Sequence, residues 1–97
     1  MRIATHPGEI LREEFMRPYG LSASALAKAL RLDAPRINEI VRERRSVSPD
    51  TALRLGRYFG TTPDLWLNLQ SAHDLSKAKA ERAEEIEREI IPIRRVA

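Results

Sequence analysis

Two short helices separated by only Arg31, Leu32 and Asp33 constrain this chain more than any other feature. Ser22 has the side chain of an N-cap, able to accept from an orphan amide of the first turn, and Leu21 and Leu26 occupy the two positions of a hydrophobic staple. Asp33 repeats the device, with Leu32 and Ile37 as its staple. So short a connection forces a sharp angle between residues 23–30 and 34–43. Leu26, Ala27, Leu30, Ile37 and Ile40 can fill that angle, and the small Ala27 lets the second helix of the pair approach closely.

The flanking punctuation continues the pattern. Ser48-Pro49 and Thr62-Pro63 each set a capping side chain before a proline at the first helical position, where no N–H is needed. Gly20 and Gly60 mark stops, and Pro18 blocks a helix just before the first of them. Helices are therefore predicted over residues 7–16, 23–30, 34–43 and 49–59, with a fifth from Pro63. Apolar spacing agrees: Ala52, Leu55, Gly56 and Phe59 in the fourth, and Leu65, Trp66, Leu69 and Ala72 in the fifth. Trp66 and Phe59 sit at core spacing. Residues 5–75 are expected to form one all-α, five-helix, lambda-repressor-like domain, for which a hydrophobic fraction of 42% suffices.

Residues 76–97 have another character. Up to Glu89 they are polar on nearly every face, helical at best through pairs such as Glu84–Arg88 and weakly held. Ile90, Ile91, Ile93 and Val96 then give an extended stretch interrupted by Pro92, suited to a short strand or to pairing across a dimer axis. This segment is read as a C-terminal extension and dimerisation element. Leu67 and Leu75 fall off the main stripe of the fifth helix and are candidate dimer contacts.

The arrangement of residues 21–45 is a helix-turn-helix, whose second helix lies in the major groove and reads base edges from its N-terminal part. The exposed positions there are Ala34, Pro35, Arg36, Asn38 and Glu39. Arg42, Arg44 and Arg45 follow, where they can meet a phosphate backbone. The net charge is only +3, but residues 31–45 hold five arginines against three acids, the most basic stretch of the chain. The bland alternatives are a solvated Arg36 and an Asn38 bonded to its own backbone. Enzymatic chemistry finds no constellation: His6 and His73 lie in different elements without a ligand pattern, Glu13 and Glu14 point apart, and Glu85 and Glu89 share a solvated face. No cofactor and no metal are expected. His6 is read as helping to start the first helix. With no cysteine, no signal-like stretch and no membrane-length apolar run, a cytoplasmic protein away from membranes is expected.

Residues 6–11 (HPGEIL), 36–41 (RINEIV), 50–55 (DTALRL), 58–61 (YFGT) and 66–70 (WLNLQ) together resemble the HigA antitoxins of the Xre/Cro helix-turn-helix group, over about residues 5–80. The resemblance implies a homodimer that binds an inverted-repeat operator in double-stranded DNA. It implies repression of its own operon and neutralisation of a HigB-like toxin, a ribosome-dependent mRNA interferase. Arg36 and Asn38 match positions that face DNA in the group, and Ala34 and Pro35 match base-reading positions although neither offers a side-chain hydrogen bond. Ser22 matches a position that meets phosphate, while Ala23 replaces the polar residue, commonly Gln, that many relatives have beside it. Because residues 5–75 read as folded, a toxin is expected to dock mainly there, with the first helix in one candidate face. The alternatives are a stand-alone Xre-family regulator, or a protein-interaction module of this fold that has lost DNA binding.

Overall fold

His6 starts the first helix, as its position before Pro7 suggests: its Nδ1 accepts from the Gly8 N–H at 2.8 Å. The computed structural model describes residues 2–94, and among these the elements are all helical. They are α1 (Pro7–Ile10), α2 (Ala23–Leu30), α3 (Ala34–Val41), α4 (Pro49–Phe59) and α5 (Pro63–Glu89). Between α1 and α2 the chain continues as a wider π-helical turn, Leu11–Met16, and a tight 3-10 turn, Arg17–Tyr19. The tightening follows from Pro18, which has no N–H to continue an α-helical ladder. The π turn has no counterpart in the apolar spacing. Gly20, at φ 63°, closes the segment in the left-handed conformation that glycine adopts without strain.

Ser22, Ser48 and Thr62 cap α2, α4 and α5 by accepting from Ala25, Thr51 and Leu65. Asp33 does not do the same for α3. Its backbone is extended like a cap's, but its carboxylate accepts no first-turn amide. Pro35 has removed one of the two amides within reach, and the carboxylate instead sits 3.9 Å from Arg36 Nε. Helix α3 also ends at Val41, two residues earlier than expected, because Glu43 turns to φ 63° and its N–H donates to the Ile40 carbonyl at 2.9 Å.

The core is the angle between α2 and α3, closed from above. Leu26, Ala27, Leu30, Ile37 and Ile40 are buried there with Leu11, Val47, Ala52, Leu55 and a fully buried Trp66. Phe59 packs half-buried against this cluster, and the Phe15 ring lies 5.0 Å from Phe59 and 5.1 Å from Trp66. The indole N–H of Trp66 donates to Thr61 Oγ1 at 2.8 Å, so its burial leaves no unpaired donor.

Beyond the core, α5 runs on. Its 27 residues pass Leu75 without a break and span about 40 Å, which draws the molecule out to 55 × 26 × 21 Å. The polar stretch expected to be weakly held is continuous helix to Glu89, rich in Ala, Glu, Lys and Arg, which favour helix without tertiary contacts. The ion pair on it is Arg82–Glu85 at 2.7 Å rather than Glu84–Arg88. The strand expected after Glu89 is absent from residues 90–94, which leave Ile91 and Ile93 exposed with no neighbouring strand to pair. Val96 and the rest of that expected strand lie outside the described residues.

Helix α1 meets the end of α3 backbone to backbone at Gly8. A Cβ built on Gly8 would lie 1.8 Å from the Ile40 carbonyl oxygen, a clash with backbone that no rotamer relieves. Gly8→Ala is expected to destabilise the domain by at least about 1–3 kcal/mol, read as a lowered midpoint in urea unfolding. Gly56→Ala, also close to backbone but at 2.9 Å from Thr61 O, should cost less. Next to Gly8, His6 is only 4% exposed, and its pKa is lowered from the ordinary 6.5, first by burial and then by the neighbouring His73 ring 4.8 Å away. Below pH 6.5 the unfolded chain takes up a proton that the folded one resists, so stability falls as pH drops from 6.5 toward the lowered value and is full above it. His6→Asn, which retains a capping oxygen, should show a shallower loss between pH 7.5 and 5.5. Equal slopes for the two proteins would contradict this account.

Candidate nucleic-acid interface

Side chains from other elements hold the C-terminus of α3 and the C-terminus of α2 before it. At the C-terminus of α3 an Arg12 Nη1 donates to the Val41 carbonyl, with the same guanidinium bonded to Glu13 at 2.9 Å and 3.7 Å from Glu43. On the other side of the turn, Arg31 adopts φ 61° at the end of α2, and the Leu32 N–H donates back to Ala27 O at 2.9 Å. Arg54 of α4 covers the same end: it donates to Leu30 O at 2.8 Å and pairs with Asp50 at 2.9 Å. Three helix-terminal carbonyls, those of Ala27, Leu30 and Val41, are thereby satisfied and the turn between α2 and α3 is tied down.

The loop after α3 is tied to α5 by one buried residue. Val47 is 3% exposed, and its N–H donates to Gln70 Oε1 at 2.9 Å. The Gln70 amide nitrogen donates in turn to Asp74 at 3.0 Å. Ala4 completes the layer, with its N–H on Ser76 Oγ at 2.8 Å and its carbonyl 2.7 Å from His73 Nδ1. None of Arg12, Arg54 or Gln70 stood out in the sequence. The signal for Gln70 was available: Trp66, Gln70 and His73 follow i, i+4, i+7, a buried helical stripe with polar members.

On this frame the candidate residues fall into three groups. Pro35 and Glu39 are exposed on α3, whereas Ala34, Arg36 and Asn38 are half-buried, less open than expected. Arg36 runs along the helix, with its Nε covered and without a hydrogen-bond partner; the 3.9 Å to Asp33 is an ion pair and too long for a hydrogen bond. Arg42, Arg44 and Arg45 are exposed on the loop, and Arg45 pairs with Glu39 at 3.3 Å. Ser22 is exposed at the N-terminus of α2, its hydroxyl oxygen accepting from Ala25 at 3.1 Å and its own proton left to donate. No group of three or more metal-ligating side chains occurs among the described residues, and no helix there is long and apolar enough to cross a membrane.

Comparison with known proteins agrees with this geometry. Residues 11–66 match the model of the HTH_3 family, described as helix-turn-helix. The virulence-associated protein I of Dichelobacter nodosus is 61% identical over 79 residues, which are 81% of this chain and 73% of that protein. A solved structure of the Pseudomonas aeruginosa antitoxin HigA with the higBA promoter superposes with a TM-score of 0.89 at 51% identity, covering 93% of this chain and 98% of that one. The antitoxin GraA in complex with its operator gives a TM-score of 0.90 at 52% identity, over 100% of this chain and 95% of that one.

Proposed function

The chain belongs to the Xre-like helix-turn-helix family HTH_3, a family of non-enzymatic regulators in which HigA-type antitoxins are its structural neighbours, and from that premise we propose that it is an operator-binding antitoxin that represses its own operon. The observation that carries this reading is that α3 and the turns on either side of it are fixed by side chains from other elements, Arg12 on the Val41 carbonyl, Arg54 on the Leu30 carbonyl at the end of α2 and Gln70 on the Val47 amide of the following loop, while Pro35 and Glu39 of α3 stay uncovered. A helix presented in this way is what major-groove reading requires. Arg36 and Asn38 read base edges in this account, Ala34 and Pro35 make apolar contact, and Glu39 borders them. Arg42, Arg44, Arg45 and Ser22 hold phosphates.

The unit of binding is a homodimer on an inverted repeat, which sets two copies of α3 about 34–36 Å apart. The half-buried Leu67 and the 56%-exposed Leu75 border one shallow groove on α5 with Val47 and Ser71, and this is the face assigned to the second copy. The partner neutralised is a HigB-like mRNA interferase, a small basic ribonuclease encoded beside this gene. It docks largely on the folded domain, residues 5–75, and residues 76–97 act as an extension of it.

Footprinting of the chain's own upstream region should show two protected half-sites related by two-fold symmetry. Arg36→Ala should weaken binding to that operator by about 1–3 kcal/mol and leave a random duplex little affected. Equal weakening of both duplexes would remove Arg36 from base reading, and a single asymmetric site would remove the dimer. Co-expression with the neighbouring gene should relieve growth arrest. A neighbour that is absent or harmless would leave a stand-alone regulator.

A further inference from the structure

A polar cleft of about 170 Å³ opens where the loop after α3 meets α5, lined by Arg44, Arg45 and Ser46 on one side and His73, Asp74 and Lys77 on the other. Its charges do not cancel. Asp74 is engaged by the Gln70 amide at 3.0 Å, and Glu43, also at the cleft, lies 3.7 Å from Arg12. Arg45 is paired with Glu39. His73 is held through Nδ1 on the Ala4 carbonyl. Arg44 and Lys77 are both exposed and have no ion-pair partner among the described residues. Arg44, Arg45 and Lys77 thus outnumber Glu43 and Asp74 around one small cleft, with Arg44 and Lys77 unpaired and a serine hydroxyl beside them.

We propose that this cleft is a phosphate subsite for duplex DNA, in which Lys77 of α5 joins Arg44 in holding a backbone phosphate. This rests on the DNA-binding reading above and extends the basic surface from the loop onto the fifth helix. The two cations keep a fixed relation because the Val47–Gln70 hydrogen bond ties the loop to α5, and Lys77 lies seven residues, about two turns, beyond Gln70. A lysine acts on phosphate as a point charge and needs no second donor in a fixed plane, which suits an exposed side chain on a helix face. A phosphate contact carries no sequence information, so the contribution of this subsite is the same for every sequence.

The test is a salt titration of Lys77→Gln on operator and random duplexes, with Lys79→Gln as the control. Lys79 has the same charge but sits among Glu81, Glu84 and Glu87. Lys77→Gln should make the slope of log K against log salt shallower by about one on both duplexes, while Lys79→Gln leaves it unchanged. Circular dichroism should show both variants folded. A Lys77→Gln slope equal to the wild type's, or an equal change in Lys79→Gln, would overturn the subsite while leaving α3 as the reader. A wild-type chain that binds neither duplex would overturn both.

Discussion

The close approach of α1 to the end of α3 at Gly8 governs the rest of the structure. With the Ile40 carbonyl where a side chain would otherwise be, the first helix can lie directly on α3. Arg12, one turn further on, can then reach the Val41 carbonyl. That bond satisfies the last carbonyl of a helix that the left-handed turn at Glu43 closes, just before the basic loop. A larger residue at position 8 would push α1 outward and withdraw Arg12 from its carbonyl, so the reach of the loop arginines is set from outside the helix-turn-helix itself.

The burial of Trp66 and Gln70 on one face of α5 supplies the second constraint. Trp66 seals the core beneath α4, while Gln70 uses its amide to bind a loop amide that would otherwise be unsatisfied in a buried place. A buried glutamine of this kind contributes less to net stability than to fixing one geometry, because its partners have no equivalent alternative. Fixing the loop to α5 couples the part assigned to phosphate to the part assigned to the second copy.

Most of the helical architecture was legible because local chemistry and apolar spacing agreed. Ser22, Ser48 and Thr62 cap as read, α2 and α4 have the bounds their periodicity gives, and the five residues in the angle between α2 and α3 are all buried. The misreadings have separate physical origins. Asp33 looked like a cap, but Pro35 took away one amide it could have bound. The helix after Leu75 looked weak because burial was the criterion, whereas an Ala- and Glu-rich stretch extends an existing helix without paying for nucleation. Arg12 and Arg54 could not be singled out, since their value lies in carbonyls 29 and 24 residues away, and Gln70 was legible only as a polar member of a buried stripe, not as the partner of the Val47 amide 23 residues away. Of the candidate site, the exposure of Pro35, Glu39, Arg42, Arg44 and Arg45 was legible from the motif, whereas the half-burial of Ala34, Arg36 and Asn38 and the nearness of Lys77 to Arg44 were not.

The central claim is that α3 and the loop after it form the surface that meets DNA. Amide chemical-shift mapping by NMR, titrating the protein with a duplex from its own upstream region, tests it most directly. The account predicts that the largest perturbations fall on Ser22, on residues 34–39 and on residues 42–46, with smaller ones near Lys77 and little change at Tyr58 or along residues 81–89. Perturbations concentrated on α4 or on the far end of α5, with α3 unmoved, would contradict it.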